Sequence, residues 1–235
     1  MFLSIDSSNG YSNLLITDEN FNKRAESISG FHENHSILIF KQLDEIMCKA
    51  GIKLNDLTGI AVILGPGSYT GIRVSLTIAK TLSYVLGVNI IGLGSLSVCA
   101  YWVVKKNLNF KNIVAVKDAS KGRYYVSEHS CANKNFTGQI KINLFALGEL
   151  RSFLNNMEDE PFLVYGLNKE KGRAIINEEF KNLTSRLLFF DLKQTAYYAS
   201  MYALENKKED AGLSLKKIKY AEELSPYYVY GNGPF

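Results

Sequence analysis

Cysteine is scarce in this 235-residue chain, which contains only Cys48, Cys99 and Cys131. An odd number of cysteines at unrelated spacings, with no CxxC pair, gives neither a disulfide framework nor a zinc motif. We therefore expect reduced thiols and a cytoplasmic protein.

Histidine is equally scarce, and its positions do not indicate a metal site. His32 and His35 lie three residues apart with Glu33 as the only nearby carboxylate, and His129 is isolated. No third ligand candidate stands at a metal-site spacing, so we predict that no metal is bound. No nucleophile–base set is visible either, which argues against a peptidase.

Long apolar runs are also absent. No segment approaches the roughly 20 apolar residues that a membrane-spanning helix needs, and residues 1–5 are too short for the apolar part of a signal peptide. We expect no contact with a membrane. The 46% hydrophobic and 12% aromatic content is ample for one large domain or for two of about a hundred residues each.

The charge of the chain is unevenly placed. Its 27 basic and 23 acidic residues give a net charge of +4. Residues 1–103 carry seven basic and eight acidic side chains, and the remaining residues carry 20 and 15. The second half is basic enough to face nucleic acid, but no RNA-recognition motif is present. Lysines scattered over the surface are the simpler interpretation.

The most informative segment is residues 65–73, GPGSYTGIR. It follows an apolar run at 60–64 that predicts a buried strand, and it opens a predicted helix over 72–86 that Gly87 closes. Such a turn either cradles a phosphate at the helix N-terminus or allows backbone elements to approach very closely. A P-loop requires Lys and then Ser or Thr after its last glycine, where this chain has Ile72 and Arg73. A dinucleotide fingerprint requires glycine in place of Thr70, so close approach is favoured.

The predicted elements repeat along the chain. In the first half, strands are predicted at 2–5, 11–17, 23–28, 60–64 and 88–92, with helices at 36–50, 72–86 and 95–106. In the second half, strands are predicted at 112–116, 123–127, 139–143 and 162–165, with helices at 147–155 and 194–205 and an exposed charged helix or linker at 207–223. Both halves open with an apolar strand that ends in an Asp and a glycine-containing turn. The repeat predicts a duplicated α/β architecture with a cleft between the halves.

This duplication, with an Asp ending each opening strand, resembles the actin, sugar-kinase and Hsp70 (ASKHA) superfamily with its RNase H-like fold. Within that superfamily, residues 1–8 (MFLSIDSS) resemble an ILAIDTS opening, and residues 34–36 resemble the HS that starts the first helix. Residues 65–73 resemble the GPGSFTGLR signature of the TsaB (YeaZ) family, and Asp118 with Ala119 matches the start of its DAR element. The resemblance covers the N-terminal half and thins beyond residue 130.

The resemblance implies two lobes with mixed sheets flanked by helices. We expect an N-terminal lobe at 1–106 that carries the dimerisation helices, and a smaller C-terminal lobe at 107–235. It also implies a non-catalytic subunit required for threonylcarbamoyladenosine formation at position 37 of tRNAs that read codons beginning with A. The expected partners are a TsaD-type carbamoyltransferase in a heterodimer, a TsaE-type ATPase and, through the complex, tRNA. The isolated chain is expected to be a homodimer without a bound cofactor, with ATP or ADP entering only in the complex.

The helices suggest where a partner binds. On the second helix, a row of small residues repeats every four positions and would let another helix approach closely, while the first helix carries a wide apolar face. The expected interface residues are Ile39, Leu43, Ile46, Met47, Gly71, Ile72, Ser75, Ala79 and Ser83. We expect Ala79→Arg to break this interface and leave the fold intact. A separate set of site residues lies in the connecting loop and consists of Gly65, Pro66, Gly67, Ser68, Thr70 and Arg73.

A vestigial nucleotide cleft is the remaining candidate site, with Asp6, Ser7, Ser8 and Asp118 as its residues. Each of the two loops contains a single glycine, which is poor for wrapping a phosphate. An Asp at a strand end that caps its own turn is the simpler interpretation. In the DAR element, Ser120 stands where the family has Arg, and the chain end at 225–230 lacks the family's closing Arg. The alternative function is a stand-alone ASKHA-type ATPase or phosphotransferase acting on a small molecule.

Overall fold

The computed structural model describes residues 1–29, 35–106, 112–132, 135–137, 141–157, 161–167, 180, 186–207, 217–218 and 226. They divide into two compact units. The first unit contains the described residues of 1–95 together with 193–207, 217, 218 and 226, and the second contains those of 96–192.

The described residues form twelve strands and five α-helices. In chain order they are β1 (Phe2–Asp6), β2 (Asn13–Thr17), β3 (Lys23–Ile28), α1 (His35–Ala50), β4 (Gly59–Gly65), α2 (Tyr69–Leu86), β5 (Asn89–Gly94), α3 (Ser95–Lys105), β6 (Asn112–Asp118), β7 (Arg123–Ala132), β8 (Asn135–Thr137), β9 (Ile142–Ala146), α4 (Leu147–Asn155), β10 (Phe162–Leu167), β11 (Leu187–Asp191), α5 (Thr195–Lys207) and β12 (Lys217–Ile218).

The first unit is built on a six-stranded sheet with the order β12-β5-β4-β1-β2-β3. The central strand β1 runs antiparallel to β2 and parallel to β4, and β5 runs parallel to β4. Strands β1, β2 and β4 are buried along their whole length, because helices cover both faces of the sheet. Buried strands of this kind read as continuous apolar runs rather than as an alternating pattern.

Helices α1 and α2 cover one face of this sheet, where Leu3 and Ile5 of β1 join their apolar residues in one core. Helix α5 covers the other face and packs against β1, β2 and β4. It is fixed there by a buried 2.6 Å hydrogen bond between the hydroxyls of Thr17 and Ser200. The side chain of Asn13 also donates to the Lys193 carbonyl just before the helix.

The second unit repeats the strand order of the first. Its sheet runs β11-β10-β6-β7-β8, with β9 also paired to β7. Strand β6 is antiparallel to β7 and parallel to β10, and β11 is parallel to β10. Since β6 holds the place that β1 holds in the first sheet, the duplicated architecture is confirmed. Helix α4 packs on β7 and β9 above a core in which the rings of Tyr124, Tyr165 and Phe180 meet edge to face.

Most predicted elements are present, with shifted ends. The helix predicted at 147–155 is α4, whereas α2 starts at Tyr69 because Ser68 caps it, three residues before the predicted start. Helix α1 already includes His35 and Ser36. Residues 217 and 218 form a short strand on β5 rather than part of an exposed helix or linker. Apart from these two residues, Lys207 and Pro226, the segments at 207–223 and 225–230 lie outside the described residues.

The lobes at 1–106 and 107–235 stay a prediction. In the structure, residues 193–207 group with 1–95, and residues 96–106 group with the second unit. Among the residues described, no helix combines the length and the apolar character that crossing a bilayer requires.

Candidate functional site

Asp6 lies buried at the carboxyl end of β1, where the chain turns toward β2. Its Oδ1 accepts a hydrogen bond from the Ser8 amide at 2.8 Å, and its Oδ2 accepts one from Asn9 Nδ2 at 2.7 Å. Both carboxylate oxygens therefore hold the turn formed by residues 6–9, which we call the Asp6 turn. An Asx turn of this kind is the structural use of a strand-end Asp.

Several buried oxygens around the Asp6 turn lack a hydrogen-bond partner within the described part of the chain. They include Ser7 Oγ, Asn9 Oδ1 and Asn13 Oδ1, and all three residues are almost fully buried. Buried polar atoms normally find a partner in protein or ordered water. Two of the three are amide oxygens, which accept hydrogen bonds and do not donate them. A water or another small donor suits these atoms better than an anion does.

The glycine-rich turn at residues 65–73 packs directly on the Asp6 turn. A Cβ built at Gly71 would overlap the Ser7 carbonyl oxygen and lie 2.9 Å from the Ser7 carbonyl carbon. The Ser68 amide donates to the Ser8 carbonyl at 2.8 Å, and the Gly71 amide donates to Ser68 Oγ at 3.2 Å. The glycine is needed because backbone meets backbone. This geometry is the close approach that the sequence favours.

The nucleotide cleft expected from the sequence requires a place for a phosphate, and the glycine-rich turn at the start of α2 is one candidate place. At the N-terminus of α2, the Ser68 and Gly71 amides already bond to protein oxygens, and the Ser7 carbonyl fills the space in front of Gly71. The Ser8 carbonyl and the Ser68 hydroxyl thus take two of the backbone amides that a phosphate-binding turn would offer to its ligand. These residues do not fit a phosphate, and we derive no chemistry through a nucleotide.

Asp118 ends β6 in the second unit as Asp6 ends β1 in the first. Its Oδ1 accepts a hydrogen bond from the Ser120 amide at 2.8 Å, but the side chain is exposed. Ser120 and Lys121 adopt left-handed backbone conformations, with φ of 68° and 54°. Asp118 therefore also holds its own turn. Ser120, which stands in place of the family Arg, takes part in this turn through its backbone.

The nine residues expected at a partner interface all lie inside the first unit. Ile39, Leu43, Ile46, Met47, Gly71, Ile72, Ser75, Ala79 and Ser83 are each buried in the single chain. The row of small residues on α2, which we call the small row, consists of Gly71, Ser75, Ala79 and Ser83. It is buried on the side of α2 that packs on β1 and β4, where small side chains let the helix lie close to the sheet. Ala79 is fully buried, so the expectation that Ala79→Arg leaves the fold intact is wrong, because the substitution would bury an unpaired charge.

The surface of the same two helices carries large side chains of a different set. Phe40 on α1 is 58% exposed, and Tyr69, Tyr84 and Val85 on α2 are 55%, 86% and 71% exposed. Arg73 stacks on Tyr69 with 5.2 Å from its guanidinium carbon to the ring centroid and donates to the Tyr69 hydroxyl at 2.6 Å. Sequence reasoning missed Tyr69, Tyr84 and Val85. The signal was the helical spacing of Tyr69, Arg73 and Tyr84, opposite the small row.

Two side chains on β7 have pKa values shifted by burial. His129 is buried on β7 with its Nε2 2.8 Å from Ser127 Oγ, and burial lowers its pKa to about 4. Burial also raises the pKa of Tyr125 on the same strand, and the charge of Asp118 adds to the shift. Among the described residues, no group of three or more His, Cys, Asp or Glu side chains is arranged to hold a metal. His32 and Glu33 lie outside them.

Comparison with known proteins gives matches over most of the chain. A family model described as TsaD, tRNA N6-adenosine threonylcarbamoyltransferase, matches residues 23–207. The tRNA threonylcarbamoyladenosine biosynthesis protein TsaB of Bacillus subtilis (strain 168) is 30% identical over 177 residues, which is 75% of each chain. TsaB of Buchnera aphidicola subsp. Schizaphis graminum is 31% identical over 133 residues, covering 56% of this chain and 63% of that relative. The match therefore spans a little less than two thirds of the latter protein.

Solved structures agree on the fold. YeaZ from Pseudomonas aeruginosa superposes with a TM-score of 0.69 at 15% identity, covering 97% of this chain and 99% of that chain. Component A of (R)-2-hydroxyglutaryl-CoA dehydratase from Acidaminococcus fermentans superposes with a TM-score of 0.54 at 10% identity, covering 88% and 98%. With the repeated strand order, these likenesses show a duplicated ASKHA fold of two mixed sheets flanked by helices. The chain belongs to the TsaB (YeaZ) family of tRNA threonylcarbamoyladenosine biosynthesis proteins.

Proposed function

We propose that this chain is a non-catalytic subunit that dimerises with a TsaD-type carbamoyltransferase and is required for threonylcarbamoyladenosine formation at position 37 of tRNAs reading codons that begin with A. Family membership supports the pathway. The observation that carries the proposal is the exposed aromatic and apolar surface of α1 and α2, formed by Phe40, Tyr69, Tyr84 and Val85. We call these four residues the outer patch.

The outer patch suits a protein partner in its chemistry. Tyrosine and phenylalanine are enriched at the centres of protein interfaces, where they bury a large area at low conformational cost. The outer faces of two helices that lie against each other on one sheet offer a partner a regular surface. The inner faces of both helices belong to the core, so a partner meets the outer patch without disturbing the sheet.

The Asp6 turn supports the absence of catalysis by this chain alone. Both oxygens of the Asp6 carboxylate hold the turn, and the Ser7 and Ser8 carbonyls pack against the first turn of α2 and its cap. In this proposal the isolated chain forms a homodimer through the outer patch and binds no cofactor. ATP or ADP, a TsaE-type ATPase and tRNA join only in the cytoplasmic complex.

The alternative is a stand-alone ASKHA-type ATPase or phosphotransferase acting on a small molecule. The ASKHA fold favours it, and the packing at the N-terminus of α2 opposes it. Under this alternative Asp6 and Asp118 face a nucleotide, and the isolated chain hydrolyses ATP.

Sedimentation of the purified chain, alone and mixed with the TsaD-type protein of the same cell, separates the two functions. We expect a homodimer that converts to a heterodimer on mixing, with ATP changing only the complex. A chain that ignores this partner and hydrolyses ATP alone contradicts the proposal and supports the stand-alone enzyme.

A further inference from the structure

The contact between the glycine-rich turn and the Asp6 turn joins a buried polar region to a helix with an exposed surface. One is the buried Asp6 carboxylate with the unpartnered Ser7 Oγ and Asn9 Oδ1. The other is α2, whose outer surface is exposed at Tyr69 and Tyr84. The contact lies at the N-terminus of α2, so it connects the helix to the Asp6 turn directly.

The contact is rigid because it is made by backbone atoms. Gly71 meets the Ser7 carbonyl with no space for a methyl group, and the Ser68 amide holds the Ser8 carbonyl at 2.8 Å. No rotamer change relaxes a backbone contact of this kind. The Pro66 carbonyl also accepts a 2.9 Å hydrogen bond from Ser95 Oγ, which anchors the glycine-rich turn on its other side.

Helix α2 transmits a displacement along its length. It has 18 residues and is therefore about 27 Å long, and Ser68 caps its first turn through the Gly71 amide. A partner seated on Tyr84 or Val85 presses on the same rigid element that touches Ser7 and Ser8 at its other end. Interactions that favour one position of α2 therefore favour one position of the Asp6 turn.

We infer that the glycine-rich turn is a coupling contact through which a partner bound to the outer patch of α2 orders the Asp6 turn. Ser68 and Gly71 are its positioning residues. Ser8 and Asn9, which donate hydrogen bonds to the Asp6 carboxylate, are the groups that respond. The inference rests on the proposed function, since that function supplies the partner. Linkage is reciprocal, so a small donor bound at Ser7 and Asn9 strengthens partner binding by the same factor.

The contact itself is tested in the isolated chain with two substitutions at one position. Ser68→Pro removes the amide that bonds to the Ser8 carbonyl, and the φ of −56° at Ser68 suits proline. Ser68→Ala also removes the hydroxyl cap but keeps that amide, so it is the matched control. Amide hydrogen exchange of a peptide covering the Asp6 turn is expected to be about tenfold faster in Ser68→Pro than in Ser68→Ala, as for the loss of one hydrogen bond. Equal exchange in the two variants overturns the contact.

The coupling is tested by hydrogen exchange of the wild-type chain with and without the TsaD-type partner. We expect the partner to slow exchange in the Asp6 turn by about tenfold, within the range usual for coupled sites. The effect should persist in Ser68→Ala and disappear in Ser68→Pro, although both variants still bind. If the partner binds and protects α2 but leaves the Asp6 turn unchanged, the coupling is overturned and the proposed function stands. If sedimentation detects no binding, the proposed function fails, and the inference fails with it.

Discussion

One buried residue, His129, makes the stability of the second unit depend on pH. His129 lies inside the sheet with its Nε2 2.8 Å from Ser127 Oγ. Burial disfavours the charged imidazolium and lowers its pKa to about 4 from the ordinary value of 6.5. The unfolded chain therefore binds a proton at a pH where the folded chain does not.

We expect this histidine to weaken the fold as the pH falls. Between pH 6.5 and 4 the unfolded state binds more protons, so the free energy of unfolding decreases with decreasing pH and is fully restored above pH 6.5. The loss between pH 7 and pH 5 should be about 2 kcal/mol, in a range where most carboxylates stay ionised. Urea unfolding of the wild type and of His129→Gln at the two pH values measures it.

The variant His129→Gln keeps a neutral side chain that can bond to Ser127. Its free energy of unfolding should change less between pH 7 and pH 5 than that of the wild type. Parallel pH dependence in the two proteins would show that other groups cause the acid sensitivity.

The direction in which the small row of α2 faces could not be predicted from residue types alone. The repeat of Gly71, Ser75, Ala79 and Ser83 fits close packing against either a partner helix or the chain's own sheet. The structure places the row on the sheet, because β1 and β4 lie close under α2. The predicted Asp turns needed only local chemistry, and both Asp6 and Asp118 hold their own turns.

At the scale of secondary-structure elements, α2 has two faces with separate tasks. The inner face packs in the first core, and the outer face carries Tyr69, Arg73, Tyr84 and Val85. The glycine-rich turn sets the start of the helix, and Gly87 ends it in a left-handed conformation with φ of 65°.

Two arginine substitutions on α2 should separate these faces. Ala79→Arg places a charge in a fully buried position, so we expect it to lower the free energy of unfolding by several kcal/mol, on the order of 3 or more. Tyr84→Arg changes a side chain that is 86% exposed, and we expect little change in stability but a loss of partner affinity of about tenfold or more. Thermal unfolding and sedimentation with the TsaD-type partner measure the two effects.

Asn155→Arg, at an exposed position on α4, is the control for adding a charge at the surface. Partner binding that survives Tyr84→Arg as well as it survives Asn155→Arg would remove the outer patch from the interface.

Element boundaries followed from the sequence where the signal is local. The helix at 147–155 agrees with α4, and the glycines after α1 and α2 mark their ends. The pairing of Lys217 and Ile218 with β5 could not be predicted, because this two-residue strand lies within a charged segment and depends on an edge formed elsewhere in the fold. The part of the outer patch on α2 escaped prediction for the same reason, since exposure depends on which face the sheet covers.

At the scale of the whole molecule, the chain leaves the first unit after Ser95 and returns to it at Lys193. Sequence repetition predicted the two similar sheets but not this return. Helix α5 has little amphipathic pattern to reveal its role, because Ala196, Ala199, Ser200 and Ala203 are small although they are buried with Tyr202 and Leu204. They cover the face of the first sheet that α1 and α2 leave uncovered.

A fragment that ends at residue 106, the predicted end of the first lobe, should therefore not fold by itself. Without α5, the sheet face that carries Phe2, Ala61 and Ile63 is exposed to water, and Thr17 loses its partner Ser200. We expect no cooperative thermal transition for residues 1–106 and strong binding of a dye that reports exposed apolar surface. Joining residues 1–95 to 193–207 through a long Gly/Ser linker should restore a cooperative transition. A fragment of residues 1–106 that unfolds as cooperatively as the linked chain would show that α5 is dispensable for the first unit.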